Sequence, residues 1–321
     1  MSLKYLVFSP FQAIEYHAFP EAFFAKQLKD HGHQVSYLGC DGLFETMCVS
    51  QSAYALNESA TLEEKRKVCV ACRRQRKSTE KIANFSHTLD AFYAAGLESE
   101  VKQFVNDIEP NKISDLRFKN YSVGRIAAYE FILNHKISDI TEISKDQLDL
   151  YKISLANVVR AILAAEKFLD RHRTDRVMIY NTAYSINHAF KEVAEARGIP
   201  VSFMHATYNL KHQSDAMYFS YQRTVEFDQN TIKYFEKESD TIKLDYSKYE
   251  IPLSHIREQL SGRSVFTYSA SRGQRFEEVF MKLNLLSDYK KIVLLSMSSS
   301  DEAYAADFSL MNGEYLGSAF R

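Results

Sequence analysis

Two short apolar runs, Lys4–Phe8 and Val35–Leu38, bracket a stretch of helical spacing from about His17 to His31. This strand–helix–strand unit limits the fold more than any other feature of the chain. Phe19, Phe23, Phe24, Gln27 and Leu28 fall near a 3.6-residue period, and Gly32 stands where a C-terminal glycine ends a helix. Strands joined through a crossover helix run parallel, since antiparallel neighbours need only a hairpin. Pro20 is expected in the first turn of that helix, where its missing N–H costs little.

The pattern returns at Arg176–Tyr180, followed by a helix over Ile186–Arg197 that stops at Gly198, then a strand over Pro200–Met204. Between the two units, Thr88 to about Asn106 and Lys145–Asp170 carry helical spacing, while Cys40 to Ser78 reads as irregular and charged. Further on, helices are expected over Glu226–Ser239, Ser254–Leu260 and Glu277–Asn284, and strands over Ser264–Ser269 and Lys291–Leu295. With 10 Gly and 5 Pro in 321 residues, few breakers interrupt these elements. The expected class is α/β: a Rossmann-like parallel sheet with helices on both faces and a helical insertion. Residues 1–289 form one such domain, with a Cys-rich loop at 40–78 and the insertion at about 88–172. Residues 290–321 read as the incomplete start of a second Rossmann-like domain.

Lys and Arg number 40 against 41 Asp and Glu, a net charge of −1, which argues against a general nucleic-acid binder. No window approaches the ~20 apolar residues that span a bilayer, and Met1–Pro10 lacks the small-residue cleavage site of a signal peptide. The expected location is the cytoplasm, extending to the inner face of the membrane. There, cysteines serve as metal ligands or reactive thiols more often than in disulfides.

All four cysteines, Cys40, Cys48, Cys69 and Cys72, fall within 33 residues. Cys69 and Cys72 form a C-x-x-C pair, and with Cys40 and Cys48 they can complete a closed four-thiolate zinc site, which would be structural because no position stays open. The gap between Cys40 and Cys48 is wider than usual, and buried inert thiols or a redox pair at Cys69 and Cys72 are the alternatives. Arg73, Arg74, Arg76 and Lys77 follow directly. They are either a solvated helix face or a contact for anionic lipid headgroups; aromatics do not interleave with them as nucleic-acid binding would require.

In open parallel sheets, ligands sit beyond the carboxyl ends of the strands. After the first strand comes His17, with Glu15 beside it; an imidazole there either accepts a proton from a substrate hydroxyl or caps the turn. After Arg176–Tyr180 come Asn181, Tyr184 and Asn187, which either hydrogen-bond a sugar or cap a helix, and His205 follows the next strand. Ser299, Ser300, Asp301 and Glu302 follow Lys291–Leu295 and form a hydroxyl-rich turn able to bind phosphate or cap a helix.

Tyr16-His17-Ala18-Phe19-Pro20 through Leu28, then Gly32-His33-Gln34-Val35-Ser36-Tyr37-Leu38-Gly39, resembles the opening of two-Rossmann-domain (GT-B) glycosyltransferases. The nearest pattern is that of bacterial lipid-intermediate N-acetylglucosaminyltransferases. Here Gln12-Ala13-Ile14-Glu15 replaces that family's Gly-rich loop, which points to a different acceptor headgroup. The segment Ser298 to Glu302 is similar to the opening of the second domain in some bacterial surface-polysaccharide transferases, and a cysteine cluster in this region looks like a feature of some capsule and lipopolysaccharide enzymes. The resemblance implies a nucleotide-sugar donor, a glycan or lipid-linked acceptor, no catalytic metal, and His17 as general base with Glu15 as second candidate. It also implies weak donor binding by this chain alone, since most second-domain loops are missing. A GT-B-fold sugar-nucleotide 2-epimerase and a non-catalytic zinc-stabilised interaction module are the alternatives.

Overall fold

The structure is a computed structural model that describes residues 2–206 apart from 85, 86 and 107, together with 217–220 and six isolated positions between 233 and 257. The elements expected at Ser264–Ser269 and Glu277–Asn284, and all of 290–321, lie outside the described residues. Those at Glu226–Ser239 and Ser254–Leu260 are described only at isolated positions.

Strand β1 (Lys4–Phe8) leads through helix α1 (Glu15–Asp30) to β2 (Gln34–Gly39). Short helix α2 (Val49–Ala53) and long helix α3 (Leu62–Ala83) follow, then β3 (His87–Thr88) and a 3-10 turn over Leu89–Phe92. Next come α4 (Leu97–Asn106), α5 (Val123–His135) and α6 (Lys145–Arg171), then β4 (Arg176–Tyr180), α7 (Ser185–Ala196), β5 (Val201–Ala206) and β6 (Met217–Ser220). The sheet order is β3-β2-β1-β4-β5-β6, and every pairing from β3 to β5 is parallel. From β1 the chain first adds strands on one side, through β2 and β3, then on the other, through β4 and β5. The switch point therefore falls between β1 and β4.

Period-2 alternation divides the strand side chains between two layers. Leu6, Phe8, Leu38, Val177 and Ile179 join the large core with α5, α6 and α7, where Phe8 stacks on Phe190 at 4.2 Å. Tyr37, one residue from Leu38, turns the other way and reaches the Ala18 carbonyl of α1. Helix α1 in turn packs on α3. α6 runs 27 residues because its buried positions Leu148, Tyr151, Leu155, Ile162 and Phe168 keep a helical period. It starts with a reciprocal cap, Gln147 N donating to Ser144 Oγ (3.2 Å) and Ser144 N to Gln147 Oε1 (2.9 Å).

Three expectations are corrected. The stretch 40–78 is not irregular: α3 occupies its second half and runs to Ala83. This helix buries only a thin stripe, Lys65, Val68, Thr79 and Ala83, so periodicity hides it, but its capping box, Thr61 to Glu64, is plain in the sequence. The stretch from Thr88 to Asn106 is helical as α4 only from Leu97; Thr88 instead adds to the sheet edge, pairing with Gly39. Pro20 sits in the second turn of α1, which begins at Glu15, so the bond it would give to the Tyr16 carbonyl cannot form. Helix α5, for which no expectation was drawn, completes the insertion. Among the described residues no helix is long and apolar enough to cross a membrane.

Candidate functional site

The loops beyond β1 and β4 meet at the switch point. Asn181, the residue after β4, has φ +45°, a left-handed conformation that asparagine tolerates better than most residues. Its Oδ1 accepts from Ala183 N at 2.9 Å, turning the chain into α7. Asn187 is buried and donates from Nδ2 to the carbonyls of Tyr180 and Asn181, while its Oδ1 has no partner among the described residues. Both asparagines therefore spend hydrogen bonds on shaping this turn.

His17 faces that turn from α1. Its ring stacks on Tyr180 (centroids 4.0 Å apart) and lies 5.8 Å from the ring of Tyr184. His205 stacks on Tyr180 as well, at 5.4 Å. Five of the expected site residues, His17, Tyr184, His205, Asn181 and Asn187, thus gather around Tyr180, which drew no separate attention in the sequence. His17 Nδ1 is shielded from solvent and has no hydrogen-bond partner among the described residues. Burial, with His205 adding to it, pushes the imidazole pKa down to about 3, so the ring is neutral near pH 7. Glu15 lies exposed two residues earlier, a spacing that puts it on another side of the helix from His17. Ser299, Ser300, Asp301 and Glu302 lie outside the described residues.

One helical turn beyond His17 is Glu21, which sequence reasoning missed. It is buried, takes a hydrogen bond from Ser9 Oγ, and meets the Tyr180 backbone N–H. Burial outweighs these bonds and raises its pKa to about 8. Ser9 Oγ also accepts from Gln12 Nε2 (2.5 Å) and Tyr37 Oη (2.9 Å), and Gln12 Oε1 accepts from Thr79 Oγ1 (2.5 Å). A buried polar chain thus ties β1, β2, α1 and α3 together next to the switch point. No periodic apolar signal marks such residues; a Ser–x–x–Gln after a buried strand was the only visible hint.

The cysteines converge elsewhere. Cys40 in the loop after β2, Cys48 at the N-cap of α2, and Cys69 and Cys72 on one face of α3 line a single cavity of about 20 Å³. Each sulfur meets N–H donors. Gly42 N reaches Cys40 Sγ at 3.4 Å and Phe44 N faces it too; Ser50 N and Gln51 N face Cys48. Gln51 Nε2 reaches Cys69 at 3.8 Å, and the backbone N–H groups of Gln12 and Ala13 face Cys72. Burial nonetheless raises all four thiol pKa values, that of Cys69 to about 11.

The basic segment serves the same loop. Arg76 Nη1 bonds the Cys40 carbonyl (3.1 Å) and pairs with Asp41 Oδ1 (3.0 Å), and Arg73 Nη1 bonds the Asp41 carbonyl (3.1 Å). Arg74 and Lys77 are exposed. Comparison with models of known protein families and with curated proteins finds no match for the chain.

Proposed function

We propose that the chain supplies the acceptor-side Rossmann-like domain of a GT-B-type glycosyltransferase, acting on a lipid-linked or glycan acceptor in bacterial surface-glycan synthesis. The observation that carries this reading is the neutral imidazole of His17 at the β1/β4 switch point, whose buried Nδ1 has no hydrogen-bond partner among the described residues and whose ring lies beside those of Tyr180 and Tyr184. The sequence resemblance at His17–Pro20 supports it.

In the reaction, an acceptor hydroxyl attacks the anomeric carbon of a nucleotide sugar. A C–O bond forms, the bond to the diphosphate breaks, and the hydroxyl proton passes to His17. An imidazole held near pKa 3 is a weak base until an anion enters the crevice. The donor diphosphate supplies that anion, stabilising the imidazolium as the proton moves. Arg74 and Lys77 are available to an anionic membrane surface.

The test is transfer of radiolabelled sugar from a panel of nucleotide sugars to polyprenyl-diphosphate-linked acceptors. His17→Ala is expected to lower kcat by about 100-fold or more. The chain alone is expected to bind donor weakly, so the assay uses a large excess of donor, and undiminished turnover by that variant overturns the reading. Release of an epimerised nucleotide sugar without transfer would favour 2-epimerase chemistry instead.

A further inference from the structure

We propose that Cys40, Cys48, Cys69 and Cys72 are the ligands of one zinc ion that clamps the loop after β2 and the start of α2 onto α3. This inference is independent of the transferase reading. The four side chains line one cavity of about 20 Å³, enough for a water-sized body. Among the described residues no His, Asp or Glu lines it, so the donor set there is sulfur, the set that selects zinc among the common divalent ions.

Burial keeps the sulfurs protonated in the metal-free protein, but the donors placed around them suit metal-bound thiolates. A neutral thiol gains little from an N–H donor, whereas a metal-bound thiolate is oriented and stabilised by such bonds. Here every one of the four sulfurs meets at least one donor, and those of Cys40 and Cys48 come from the backbone two residues further on. Ser50 Oγ is buried facing Cys72 without a hydrogen bond of normal geometry, a donor that a charged sulfur would engage. Four thiolates around Zn²⁺ leave a net double negative charge, and Arg73 and Arg76 stand beside Cys69 and Cys72 to offset it.

Among the described residues no three His, Cys, Asp or Glu side chains are already drawn into a metal-holding arrangement. Protonated thiols can line one cavity without closing to metal-ligand distance. Binding releases the four protons to solvent and draws the sulfurs inward by side-chain rotation around a cavity that already exists.

The test is metal analysis of the protein purified under reducing conditions, followed by cobalt substitution. The expected result is about one zinc per chain, and in the cobalt form the intense visible bands of a tetrahedral thiolate site. Replacing any one cysteine by serine should drop bound zinc below ~0.3 per chain. Cobalt loading of the unaltered protein needs no variant, so a serine variant that fails to fold leaves the proposal testable. Less than ~0.3 zinc per chain without a cobalt thiolate spectrum overturns it, as does an iron–sulfur chromophore or a Cys69–Cys72 disulfide in place of metal.

Discussion

The imidazole of His17 lies against the ring of Tyr180, planes 26° apart and centroids 4.0 Å apart, so two residues from opposite sides of the switch point share one apolar contact. The contact removes water from the imidazole, and the nearby His205 makes a positive charge there still less favourable. The expected outcome in an NMR titration is a His17 imidazole that stays neutral through pH 5, where an ordinary histidine is largely charged. In Tyr180→Ala, which opens the contact to water, the midpoint should rise toward the ordinary value. A His17 midpoint near 6.5 in the unaltered protein would contradict the burial described here.

Glu21 gives the opposite shift, and the two make a pH signature for stability. A histidine whose folded pKa is lowered takes up its proton more readily when unfolded, so His17 makes stability fall as pH drops from 6.5 toward 3. A carboxyl whose folded pKa is raised keeps its proton better when folded. Glu21, raised to about 8, and Glu130, raised to about 7 by burial, therefore make stability fall as pH rises from 4.5 through 7 to 8. Where one proton is at stake the slope approaches about 1.4 kcal/mol per pH unit. Urea unfolding should show the greatest stability near pH 5 and a decline toward pH 8. Glu21→Gln, which cannot ionise, should flatten the alkaline side, and an unchanged slope in that variant would remove Glu21 from the account.

Much of the sheet is legible in the sequence because its strands are buried on both faces. Lys4–Phe8 and Arg176–Tyr180 read as continuous apolar runs and are strands at those same bounds. α3 escapes because it buries only a thin face, and hydrophobic spacing measures how much surface is hidden, not whether a helix forms. The capping residues Thr61 and Glu64 mark it regardless of burial. His17 is legible as a loop-edge imidazole, while Tyr180 and Glu21 are not. Their importance comes from β4 and α1 meeting across the sheet, a contact between residues about 160 positions apart in the chain that local pattern does not encode. The cysteines lie between these cases: spacing groups them, and only the fold brings all four to one cavity.

Gly124, in the first turn of α5, has no room for a side chain. A Cβ built there would stand 1.8 Å from the Ile113 carbonyl oxygen and 3.0 Å from Leu116 Cβ, and the first of these is backbone that no rotamer change can move. The close approach is used on both sides: Gly124 N donates to the Leu116 carbonyl at 3.2 Å, and the Gly124 carbonyl accepts from the buried Tyr151 hydroxyl at 2.9 Å. Gly124→Ala must therefore push α5 off the 3-10 turn at Pro110–Asp115 and stretch the Tyr151 bond that ties α5 to α6. A loss of about 3 kcal/mol is expected from overpacking. Gly96 supplies the control, because it has no atom within 4 Å of its would-be Cβ and no left-handed backbone. Gly96→Ala should be neutral or stabilising by up to about 1 kcal/mol, through loss of unfolded-state freedom alone. Urea midpoints at one pH compare the two directly. Equal midpoints for both variants would mean that α5 does not press on Ile113 as closely as the structure has it.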